Sequence, residues 1–92
     1  MKRPPDFKTK LGGRTWTVRY VRRTHPKVRG CWGHCFWEER EIYVRYDLSP
    51  QRVRDTTIHE MLHATCHLLF VAEEWVTQTA TEIADGLEKA GL

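Results

Sequence analysis

His59-Glu60-Met61-Leu62-His63 is the stretch of this chain whose residue types and spacing can do chemistry. On a helix, four residues advance about 400°, so both imidazoles project from one face a turn apart and can share a metal ion. Glu60 lies about 100° round from the first of them, within reach of a water at that metal without having to ligate it. Zn²⁺ lowers the pKa of such a water toward about 7, and a carboxylate placed there accepts its proton as general base.

Catalytic zinc takes a third protein ligand and keeps one position open. The last helical stretch, residues 73–89, supplies the candidates. On an ideal wheel Glu73 falls in the middle of the arc of Val76, Ala80, Ile83, Ala84 and Leu87. A carboxylate aimed into an apolar face calls for a cation, and zinc on His59 and His63 would provide it. Glu74 falls on the more polar arc of Gln78, Thr81 and Asp85, and Glu82 lies opposite; both stay open as alternatives, as do His67 and a site with no third protein ligand. Geometry sets a condition on Glu73. If the first helix ran unbroken to Phe70, His63 would sit about 10 Å back from its end, so Glu73 reaches the site only if that helix stops early or the two cross steeply.

Other residues read more plainly. Cys31, His34 and Cys35 form a cluster that lacks a clear fourth ligand and the usual paired spacing of a zinc site, so these cysteines are expected to be free thiols. Cys66 reads as a small buried apolar residue, and His67 as a core or surface histidine. Trp16, Trp32, Trp37 and Trp75 are expected chiefly to pack, in a domain short of hydrophobic mass. By residue type alone, Tyr43, Tyr46 and His67 are candidate oxyanion stabilisers.

The elements that must position these groups follow from the pattern. Residues 1–10, with two prolines and four cations, read as a flexible basic arm, and residues 11–92 as a single domain. Gly12-Gly13 marks a turn. After it, Trp16, Val18 and Tyr20 alternate with Thr17, Arg19 and Val21, a strand with one apolar face. Residues 24–37 read as an irregular loop, and residues 41–46 as a second strand with Ile42 and Val44 on one side. The two strands are expected to pair antiparallel. Ser49-Pro50 starts a helix that runs to about Leu69 or Phe70, with apolar residues nearly all round, as in a centrally buried helix. A break at Val71-Ala72 precedes the last helix, capped by Gly91. The expected fold is α+β: a small antiparallel β-ribbon packed on the HExxH helix and a C-terminal helix.

Ninety-two residues allow one domain with a marginal core, to which a bound metal would matter. No run is long enough to span a membrane and none follows the N-terminus as a signal peptide would, so a cytoplasmic setting is expected. Three cysteines fit reduced thiols. The formal charge of +3 hides a polarity: ten Lys or Arg against Asp6 in residues 1–30, and seven acids against Lys89 in residues 55–92. The basic front is open to an acidic or nucleic-acid-associated partner.

Together with the HExxH core, the runs Gly13-Arg14-Thr15-Trp16-Thr17-Val18-Arg19-Tyr20-Val21, Glu41-Ile42-Tyr43-Val44-Arg45 and Glu73-Glu74-Trp75-Val76 resemble small phage and bacterial zinc metallopeptidase-like proteins. These are minimal zincins, comparable to SprT-like and ImmA/IrrE-like domains. The resemblance implies zinc on His59, His63 and a downstream glutamate, Glu73 or Glu74, with Glu60 as general base and a peptide or protein as substrate. The chain departs from SprT-like domains in having no obvious third histidine after a longer spacer. It departs from thermolysin-like enzymes in the position of its glutamate. A zinc-stabilised regulatory module that binds nucleic acid or protein without catalysis is the other expectation.

Overall fold

A computed structural model describes residues 2–66 and 73–91. The fold is α+β, a four-stranded mixed sheet with two helices. Strand β1 (Phe7–Leu11) turns through Gly12-Gly13 into β2 (Arg14–Val21) and pairs with it antiparallel. Both turn glycines have positive φ, +61° and +82°, as a two-residue hairpin requires. The expected flexible arm is therefore shorter than ten residues: Lys8 and Lys10 pair opposite Thr17 and Thr15. The prolines end at Pro5, and strand pairing supplies order that local composition does not.

Strand β4 (Glu41–Arg45) lies parallel to β2, which corrects the expected antiparallel ribbon. Alternation reports which face a strand buries and carries no direction. The reversal is made inside residues 24–37, which are more ordered than a loop: a 3₁₀ turn at Pro26–Val28 is followed by β3 (Gly33–Phe36), antiparallel to β4. The strand order is β1-β2-β4-β3, leaving β3 as an edge.

Helix α1 (Pro50–Thr65) begins as anticipated, with the Ser49 hydroxyl accepting from the Arg52 N–H at 3.2 Å and Pro50 in the first turn. It ends at Thr65 with Cys66 as its cap, short of Leu69. His67, Leu68, Leu69 and the break at Val71-Ala72 lie outside the described residues. Helix α2 (Glu73–Lys89) follows, with Gly91 just past its end at φ +81°.

One face of the sheet packs on α1, and α2 packs on α1 from the other side. Trp16, Val18, Tyr20, Ile42, Val44 and Tyr46 meet Val53 and Ala64 in the core. Buried Thr57 takes part in seating α1: it donates to the Val53 carbonyl at 2.8 Å and receives the Tyr20 hydroxyl at 3.1 Å. The helix is not buried all round. Ile58, Met61 and Leu62 are half-buried and line an apolar groove of about 620 Å³ with Leu11, Ile83 and Leu87. No helix among the described residues is long and apolar enough to cross a membrane.

Candidate metal centre

The HExxH residues lie on the second half of α1, and α2 opens with Glu73. His59 and His63 turn their Nε2 atoms toward each other at 3.2 Å. Glu73 bridges them, its Oε1 2.9 Å from His59 Nε2 and its Oε2 2.9 Å from His63 Nε2. The early end of α1 is what satisfies the condition on Glu73. Among the described residues this is the single trio of His, Cys, Asp or Glu side chains whose donor atoms gather closely enough to hold a metal ion.

The donor set has nearly the dimensions of a zinc site. Ligands about 2.0–2.1 Å from a tetrahedral zinc stand about 3.3–3.4 Å apart, a few tenths of an ångström wider than these separations. Two imidazoles and one carboxylate is also a combination zinc accepts. The Glu73 side chain is 62% exposed even with both its oxygens against the histidines, so it is not sunk into the apolar arc of α2. Glu74 and Glu82 are exposed and do not join the trio.

Glu60 is buried beside the trio without belonging to it. It lines a cleft of about 390 Å³ together with His59, His63, Glu73, Cys35 and Trp37. Burial, and then the charge of Glu73, push its carboxyl up to about 7 in the metal-free protein. This has a consequence for stability. Because the folded-state pKa lies above the ordinary value of 4.5, the native state holds an extra proton between those pH values, and stability is lost as pH rises through them. The metal-free protein is expected to be less stable at pH 8 than at pH 4.5, by on the order of 3 kcal/mol from this group. Glu60→Gln should remove that contribution, which thermal melts of both chelated proteins at the two pH values would reveal.

Strand β3 forms the wall opposite the helix. Gly33 begins it, and a Cβ there would stand 2.8 Å from Thr56 Cγ2, 3.0 Å from the Tyr43 carbonyl oxygen and 3.2 Å from Glu60 Cγ. Only glycine lets the edge strand approach Glu60 this closely. Gly33→Ala is expected to cost about 1–3 kcal/mol in urea unfolding, because Thr56 and a backbone carbonyl have little freedom to retreat.

The cysteine cluster does not assemble. Cys35 shares the inward face of β3 with Gly33, while His34 pairs with Tyr43 on the outward face and stacks on Phe36 at 4.5 Å. All three cysteines are free. Burial, reinforced by the Glu60 charge, pushes the Cys35 thiol up to about 12 and also raises that of Cys31, so neither is a thiolate at neutral pH. The tyrosines expected as oxyanion stabilisers are also elsewhere. Tyr43 donates to Glu41 at 3.0 Å on the outer sheet face, and Tyr46 accepts from Arg22 at 2.7 Å.

The tryptophans depart from expectation as well. Trp16 is in the core, whereas Trp32, Trp37 and Trp75 are about half exposed. Gly33, His34, Cys35 and Trp37 also line the cleft, a placement that residue type alone does not mark. Their one signal in the sequence is the alternation of Gly33 and Cys35 with His34 and Phe36 between two tryptophans.

No protein-family model matches this chain, and comparison with curated proteins and with solved structures yields no match.

Proposed function

We propose that this chain is a zinc-dependent metallopeptidase. The observation that carries the reading is the convergence of His59, His63 and Glu73 donors from two helices, beside the buried Glu60 carboxyl, in a cleft open to solvent. Three protein donors leave a catalytic zinc its open position. Zinc bound there supplies a Lewis acid that makes water a competent nucleophile near neutral pH. Glu60 then takes the proton of the attacking water and passes it to the leaving amine. Its burial beside the donor trio, in the wall of the same cleft, places the carboxylate where that transfer would occur. The free edge of β3 offers main-chain groups to an extended peptide beside Glu60. This reading agrees with the resemblance to minimal zincins.

A noncatalytic, zinc-stabilised binding module draws support from the outer sheet face, where Lys8 and Lys10 stand with Arg19 and Arg45. That face is partly neutralised, since Arg19 pairs with Glu41 at 2.8 Å and Arg45 with Asp47 at 3.0 Å. A structural zinc also calls for a fourth protein donor, and among the described residues none joins the trio.

The test is metal analysis joined to proteolysis. After dialysis against zinc the protein should retain one equivalent per chain and cleave an unfolded protein. A chelator should abolish the cleavage and added zinc restore it. A chain that retains no zinc has no such centre.

A further inference from the structure

Trp32 is 48% exposed and Trp37 46% exposed. In a domain this small, so much indole left in water asks for an occupant, because tryptophan is on average well buried and is enriched at binding hot spots. These two residues immediately precede and follow β3, so the edge strand is bracketed by tryptophans. Each walls a different hollow. Trp37 lines the 390 Å³ cleft that holds the donor trio, and Trp32 lines a neighbouring hollow of about 320 Å³ with Arg52 and Thr56. The two hollows share Gly33, His59 and Glu60, which puts Glu60 between them.

Both indoles have a partner that steadies them. The Arg52 guanidinium carbon lies 4.2 Å over the Trp32 ring, and the Trp37 N–H donates to the Cys35 thiol. Aromatic walls already held in place lose little freedom when a ligand arrives. From Trp32 to Trp37 an extended strand advances about 17 Å, the reach of about five substrate residues. The hollows hold one lysine or arginine between them, Arg52, with Asp55 beside it. The chain's positive charge is therefore concentrated away from this surface.

We propose that Trp32 and Trp37 are the specificity residues of the cleft, selecting an extended protein segment with a large apolar side chain on each side of the bond presented to Glu60. This rests on reading the cleft as a peptide site. It replaces the acidic substrate expected from bulk charge with an apolar, unfolded one. Each tryptophan packs against one such side chain while β3 holds the main chain between them.

The experiment uses zinc-loaded Glu60→Gln protein and a pair of labelled decapeptides, one with Leu and Phe about five residues apart, to match the span between the tryptophans, and its copy with Ser at both positions. Fluorescence anisotropy should show the apolar peptide binding at least about tenfold more tightly. Trp32→Ala and Trp37→Ala should each weaken it by about tenfold, and Trp→Phe at either position should restore most of the loss. Both sites are exposed, and circular dichroism with a melt confirms that each variant folds. Equal affinity for the two peptides overturns the assignment. So does undiminished binding in both alanine variants, which would move the peptide to another surface such as the groove at Ile58 and Ile83. Mapping wild-type cleavage sites in denatured casein separates the two readings. Peptide binding as expected without any cleavage defeats the peptidase and leaves the binding surface. Cleavage with no preference for large apolar neighbours defeats the specificity and leaves the peptidase.

Discussion

Glu60→Gln should leave zinc content unchanged and lower peptide hydrolysis by about 10²–10⁴-fold, the range over which a positioned general base contributes. Zinc content should hold because Glu60 is not one of the three converging donors, and glutamine keeps the volume that Gly33 and Thr56 pack against. Rate should fall because an amide has no basic oxygen to take the proton of water. The change also removes a buried acid, so the metal-free variant should be more stable than the wild type above pH 7 even as it loses activity. That opposite movement of stability and rate distinguishes a lost proton acceptor from a damaged fold. Full activity with zinc retained would show that Glu60 is not the base.

Removal of zinc should lower the melting temperature by roughly 12–30 °C. A metal present at 10²–10³ times its Kd stabilises by about 3–4 kcal/mol, and a domain of this size shifts by about 4–8 °C per kcal/mol. The reason for a large effect lies in how α2 is attached. Its buried side chains are Val76, Ala80 and Ala84, which remove little apolar surface from water, and beyond Glu73 it reaches α1 through Thr81, whose hydroxyl donates to Asp55 at 3.2 Å. Zinc on His59, His63 and Glu73 would clamp the start of α2 to the second half of α1. Glu73→Ala should therefore erase most of the zinc-dependent shift in calorimetry, while Glu74→Ala should preserve it. An unchanged melt after verified removal of the metal would count against the clamp.

Much of the fold was legible along the chain, and what was not has a common cause. The Gly12-Gly13 turn, the β2 alternation, the Ser49-Pro50 start of α1 and the span of α2 are local: each is encoded within a few residues by backbone freedom, capping or period. The parallel pairing of β2 with β4, the ordering of β1 and the short strand β3 are nonlocal, set by which partner a strand meets. Trp32 and Trp37 illustrate the same limit, since a tryptophan's type states that it is large and apolar but not whether anything covers it.

By itself the sequence determined that His59 and His63 share a helix face, because their spacing matches the helical repeat, and that Glu60 stands beside them. It also narrowed the third donor to a few acids and a histidine, with Glu73 at the centre of the apolar arc of α2. Tertiary structure alone decided the rest. The end of α1 at Thr65 brings Glu73 within 2.9 Å of both imidazoles, and the close passage of β3 at Gly33 walls in Glu60. Both depend on where separate elements stop and cross, and that is governed by the packing of surfaces distant in the chain, which no local repeat records.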